Sequence, residues 1–155
     1  MTTNSAEGIR WNLSDLFSSY DDPRIETTLN DCRTQAEAFA RRFRGTISAP
    51  EGPEPEDLLQ RLKELEEIEE ALSRVANYSS LLYAADSLKP EFQDLEQRME
   101  QRVTEVRNLL LFFDLEWMEL KDEVAERLIQ HPALKSYSHY LRNLRRFGPH
   151  KLSEP

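Results

Sequence analysis

The chain has 155 residues, enough for one domain to bury a core without a disulfide or metal staple. Hydrophobic residues make up 39% and charged residues 32%, with four glycines in all, a balance that favours long amphipathic helices with wide solvated faces over a compact sheet. Acidic side chains outnumber basic ones 29 to 20, and the net charge of −9 repels phosphate backbones and anionic lipid, so neither nucleic acid nor a membrane surface is an expected partner.

Cys32 is the only cysteine, so no intrachain disulfide and no thiolate zinc cluster can form, and a reduced, cytoplasmic setting is expected. Met1-Thr2-Thr3-Asn4-Ser5 has neither the basic patch nor the apolar run of a signal peptide. The longest apolar stretch, Leu109 to Phe113, is far too short to span a bilayer.

Residues 1–21 read as an N-terminal docking segment: Trp11-Asn12-Leu13-Ser14-Asp15-Leu16-Phe17 mixes apolar and capping residues and is expected to make one tight turn. A helical lobe over 22–155 follows. Asp22 supplies an N-cap, Pro23 suits the first helical position, and Ile25, Leu29, Cys32, Ala36, Phe39 and Phe43 recur at steps of three and four, which predicts a helix over 22–44 ended by Gly45. That placement makes Cys32 a small buried residue rather than a reactive thiol.

Pro50, Gly52, Pro53 and Pro55 break the helix and mark a surface loop. A second helix is predicted over 57–86, where Leu58, Leu62, Leu65, Ile68, Leu72, Val75, Ser79 and Leu82 form an unbroken seam near the 3.5-residue period. After Leu88-Lys89-Pro90 the pattern resumes at Phe92, Leu95, Met99, Val103, Val106, Leu110, Phe113, Trp117 and Leu120, predicting a third helix over 90–120. Two helices of about 30 residues joined by a few residues must run antiparallel, each roughly 45 Å long. Glu64, Glu66, Glu67, Glu69 and Glu70 read as a solvated acidic face, since a transition-metal site usually adds histidine and this helix has none.

A short helix over 122–130 ends at His131-Pro132, and a last one is predicted over 134–147 with Tyr137, Tyr140, Leu141 and Leu144 on its apolar face. Arg142, Arg145 and Arg146 lie toward its C-terminal end, where the helix dipole favours cations; an anion or peptide-carboxylate site is the sharper alternative. Leu152-Ser153-Glu154-Pro155 reads as the opening of a further helix, as if the chain were cut from a longer protein. The fold class is therefore all-α, a helical lobe built around a long antiparallel hairpin with shorter flanking helices.

No catalytic, cofactor-binding or metal-ligating residue emerges. His131, His139 and His150 do not follow the i, i+4 zinc spacing, there is no His-Glu-x-x-His pair, and phosphate-loop, nucleophile-elbow and paired-cysteine motifs are absent. His139 reads as a partner of a carboxylate or backbone carbonyl; His150, after Pro149, has no assigned role. Tyr83 and the neighbours Phe112 and Phe113 exceed what one hairpin seam can bury, so a covering surface is expected.

Several segments are together familiar: Trp11 to Phe17, Asp22-Pro23, Phe43-Arg44-Gly45, Tyr83-Ala84-Ala85-Asp86, Leu110-Leu111-Phe112-Phe113, and His139-Tyr140-Leu141 through Arg146, Pro149-His150 and Leu152-Ser153-Glu154. In order and spacing they resemble the N-terminal region of the oligoendopeptidase F family of zinc metallopeptidases, with Asn12 where aspartate is more usual. The resemblance implies a parent that cleaves short peptides with zinc on a downstream His-Glu-x-x-His helix, and a non-catalytic helical lobe that walls part of the substrate channel. It implies no cofactor in this chain, the catalytic lobe as partner, and a surface near Tyr83, Phe112 and Tyr140 that packs on that lobe. Bare surface of this kind would allow the fragment to form a homodimer. A free-standing helical interaction or dimerisation module is the competing expectation.

Overall fold

A computed structural model of the chain describes residues 11–146. Among them, α1 (Pro23–Phe43), α2 (Pro55–Ala85), α3 (Pro90–Glu119), α4 (Asp122–Gln130) and α5 (Ser138–Arg146) are α-helices, and Pro132–Tyr137 is a 3₁₀ helix between the last two. The described residues contain no strand. The first three helices and the 3₁₀ helix each open on a proline, whose missing N–H costs nothing in a first turn. Pro55 thus starts α2, two residues before the expected boundary at 57.

The hairpin of α2 and α3 is antiparallel, as the period-3.5 seams require. Ser80 donates to Glu96 beside the connecting turn, and farther down Arg107 donates to Glu69 at 3.1 Å. Helix α1 packs along both helices of this hairpin and completes a three-helix bundle. It runs against α2, with Cys32 beside the Ile68 carbonyl and Arg42 paired to Glu64, and along α3, with Arg102 reaching Glu26 and Asn30. Cys32 is buried, and burial pushes its thiol pKa up, as expected of a packed residue.

Helix α1 also supplies the cover that the aromatic surplus demanded. Phe112 faces α1 and is only 2% exposed, with its ring 5.9 Å from that of Phe39 and under the Arg44 guanidinium. Phe113 and Trp117 are completely buried. The expectation that Phe112 belongs to an open docking surface is therefore corrected: α1 takes it into the bundle core.

At the N-terminal side, the Leu13–Phe17 turn sets the Phe17 ring edge-on to Tyr78 at 5.1 Å. Buried Asp22 caps α1 through Arg24 N and also accepts from Ser18 N and Oγ. The Arg24 side chain beside it, together with these donors, holds its carboxyl far below the usual range.

The chain between α1 and α2 is fastened, not merely a surface loop. Ile47 and Pro53 are buried, and Arg127 of α4 donates to the Glu51 carbonyl at 2.6 Å. Its anchor is Glu116 on α3, a buried carboxylate that accepts Gly45 N at 2.6 Å and Ile47 N at 3.0 Å. The same end of α3 is tied to α5: Trp117 Nε1 donates to the Leu141 carbonyl at 2.9 Å, and Arg145 donates to the carbonyls of Trp117 and Leu120 and to Asp122.

The last predicted helix divides in two. His131 Nδ1 accepts from Ala133 N, and the chain runs through the tighter 3₁₀ helix, opened by Pro132, before α5 begins at Ser138. Phe147, His150 and the Leu152-Ser153-Glu154-Pro155 helix opening lie outside the described residues.

Two measurements check this scheme. Glu116→Ala leaves two amides without their acceptor and should cost about 3 kcal/mol, read as a lower urea midpoint at unchanged slope. Gly52 has φ +68° and an added Cβ would sit 2.8 Å from Val124 Cγ1, whereas Gly45 has φ +79° and meets nothing within 4 Å. Gly52→Ala should therefore destabilise by about 2–3 kcal/mol and Gly45→Ala by only about 1 kcal/mol.

Candidate functional site

The helical repeat dictates which side chains share a face. Leu62, Leu65, Glu66 and Glu69 follow one stripe of α2, and Arg107, Leu110, Leu111 and Asp114 follow one stripe of α3. Where the stripes meet, the 3₁₀ helix and α5 lay Ser136, Tyr137 and Tyr140 across them, enclosing a groove of about 680 Å³. Its floor is leucine; Leu111 and Tyr140 remain 38% and 39% exposed, an apolar patch open to water.

The rim is polar and predominantly anionic. Tyr137 Oη donates to Glu66 at 2.5 Å, Tyr140 Oη donates to Asp114 at 3.3 Å, and Arg107 Nε donates to Glu69 at 3.1 Å. Burial raises the Asp114 carboxyl pKa against the lowering effect of the Tyr140 hydroxyl. The hydrogen bond to Glu66 pushes the Tyr137 phenol up to about 12, and burial followed by the charge of Asp114 pushes Tyr140 higher still.

This groove draws on a stretch that the sequence presented as solvated. Of the clustered glutamates, Glu64 pairs with Arg42, Glu66 with Tyr137, Glu69 with Arg107 and Glu70 with Arg74, so the acidic run is largely engaged. The signal that finds the groove is the apolar-acidic stripe at 62, 65, 66 and 69 read together with 107, 110, 111 and 114. Neither stripe alone says that α5 will close it.

The other singled-out residues fall elsewhere. Tyr83 is 40% exposed at the hairpin end where Leu88 is 89% exposed, Tyr140 lines the groove, and Phe112 is in the core, so these three do not form one surface. His139 is exposed and makes no hydrogen bond among the described residues. Arg142 pairs with Glu126 at 3.4 Å, Arg146 is exposed, and Arg145 satisfies carbonyls at the end of α3 rather than those of its own helix. His150 lies outside the described residues.

The described residues bring no three His, Cys, Asp or Glu side chains together in an arrangement able to hold a metal ion. No described helix is long and apolar enough to cross a membrane. Residues 116–155 match the family model for the N-terminal part of peptidase M3, described as Oligopeptidase F. Over those residues the chain is similar to the N-terminal region of oligoendopeptidase F family proteins. The match covers about a quarter of the chain, opening on Glu116 and taking in α4, the 3₁₀ helix and α5. Comparison with the curated proteins and with the solved structures gives no match. The match thus covers the groove's closing elements and does not extend over α1, α2 or most of α3.

The phenols offer a direct check on the groove. Each folded pKa lies above the value near 10 of an unfolded tyrosine, so the stabilisation they contribute is complete below about pH 10 and is lost as pH rises through their folded values. Ultraviolet titration of the native chain should show a tyrosinate fraction at pH 11 that lags the urea-unfolded chain; Tyr137→Phe and Tyr140→Phe should each remove part of the lag.

Proposed function

We propose that this chain is the non-catalytic helical lobe of a zinc oligopeptidase that hydrolyses short peptides, and that the lobe forms part of the substrate-channel wall. The observation that carries the reading is the oligoendopeptidase F match from Glu116 onward, joined to the family-like segments along α1, α2 and α3. Its partner is then the catalytic lobe of the same polypeptide, and short peptides meet the lobe only in the assembled enzyme.

Zinc in such an enzyme supplies a polarised carbonyl and an activated water. The described residues do not fit that role: they offer no cluster of three ligating side chains, and zinc would be held by residues of the catalytic lobe. What the lobe contributes is shape. A bundle whose α3 is fixed to α1 through Glu116 and to α5 through Trp117 and Arg145 is a stiff wall, able to admit a flexible peptide and exclude a folded protein. A reducing cytoplasmic setting suits the one buried thiol, Cys32.

The test sets this chain beside the longer protein that continues to a His-Glu-x-x-His segment. Metal analysis and cleavage of a fluorogenic short peptide should give zinc and turnover for the longer protein alone. Stoichiometric zinc or turnover in the 155-residue chain would overturn the reading, and a reading frame without that segment would leave a free-standing interaction module, with or without homodimerisation, in its place.

A further inference from the structure

The groove bounded by α2, α3 and α5 is out of charge balance. Three carboxylates, Glu66, Glu69 and Asp114, face one cation, Arg107, and that cation is already committed to Glu69. Among the described residues, Glu66 and Asp114 are met by the phenols of Tyr137 and Tyr140, which stabilise a carboxylate by hydrogen bonding and bring no charge. Burial already works against the ionised form of Asp114. Between these groups Leu111 and Tyr140 keep apolar surface open.

These features constrain any occupant from two sides. Apolar surface in a groove is gained by a partner that covers it. A neutral or acidic cover would strip water from two carboxylates and return nothing, which is why buried charges are found paired. A second copy of this chain, at net charge −9, is a poor electrostatic match. The stripe from Leu62 to Glu69 spans about two helical turns, so the part of the segment in contact with it is of similar length.

The geometry points to a docking site for a basic amphipathic protein segment, one that seats a leucine-like side chain on Leu111 and Tyr140 and sets arginine or lysine against Asp114 and Glu66. The inference does not rest on the zinc reading: the groove belongs to this chain whether or not a peptidase lobe follows it.

Fluorescence anisotropy on the full 155-residue chain tests it with a labelled peptide of about 12 residues, leucine and lysine alternating at helical spacing, and a counterpart with glutamate in place of lysine. The basic peptide should bind, more weakly at high salt, and the acidic one should bind at least roughly a hundredfold more weakly. Asp114→Asn with Glu66→Gln keeps an acceptor for each phenol while removing both charges, and should weaken binding by roughly tenfold or more; exposed Leu111→Ser should also weaken it. Glu91→Gln with Asp94→Asn, two exposed acids outside the groove, should leave binding unchanged. Equal binding of both peptides, equal losses in the two double variants, no binding by either peptide, or a dimer that Leu111→Ser dissolves would each overturn the proposal. None of those outcomes alters whether the longer protein hydrolyses peptides, so the two readings fail separately.

Discussion

The buried carboxylate of Glu116 is the contact on which this lobe's geometry depends. A helix as long as α1 leaves carbonyls and a following loop to be satisfied, and here the loop amides of Gly45 and Ile47 turn inward to one side chain on α3. An acid in that position accepts from two donors at once, which a neutral side chain of similar size does less well. The next residue, Trp117, passes the register on to α5 through its indole N–H, and Arg145 returns from α5 to the free carbonyls at the end of α3. One turn of α3 thereby sets the position of the chain before α2 and of the last helix together.

That arrangement explains the groove. Its floor comes from two straight stripes that any antiparallel hairpin would present, but its closure requires Tyr137 and Tyr140 to reach Glu66 and Asp114 from a separate helix. If the end of α3 were not tied to α5, the leucines would form an open ridge. The 3₁₀ helix contributes as well: by turning tightly after His131-Pro132 it brings Tyr137 over α2 while Tyr140 still lies over α3.

The long helices were legible because their information is local. Steps of three and four in α1, and the continuous seams of α2 and α3, need no knowledge of a partner, and the prolines that open them are steric signals. Phe112 was misplaced for the complementary reason: a two-helix account has no third surface, and nothing along the chain says that α1 will pack on both hairpin helices. Glu116 and Arg145 were illegible because each is one charge among many of its kind, distinguished only by a partner about 70 residues away in one case and 25 in the other. The groove was half legible. Leu62, Leu65 and Leu110 stood in the seams, while Leu111 lay outside them and Glu66 and Glu69 were hidden within an acidic run whose exposed members look the same in sequence.

The chemistry of the groove separates recognition from catalysis. General acid–base work needs two groups that act on one reacting atom, with one able to give up a proton and the other able to take it. Here each rim carboxylate has its own partner: a phenol for Glu66, a phenol for Asp114 and a guanidinium for Glu69. The phenols are held in their neutral form well beyond neutral pH, so they serve as fixed donors rather than proton shuttles. Carboxylates held apart in this way present a fixed pattern of negative charge around an apolar centre, and such a pattern discriminates among surfaces that approach it. The shape of that pattern is set close by, at the end of α3, where Trp117 and the carbonyls of Trp117 and Leu120 hold α5 in place.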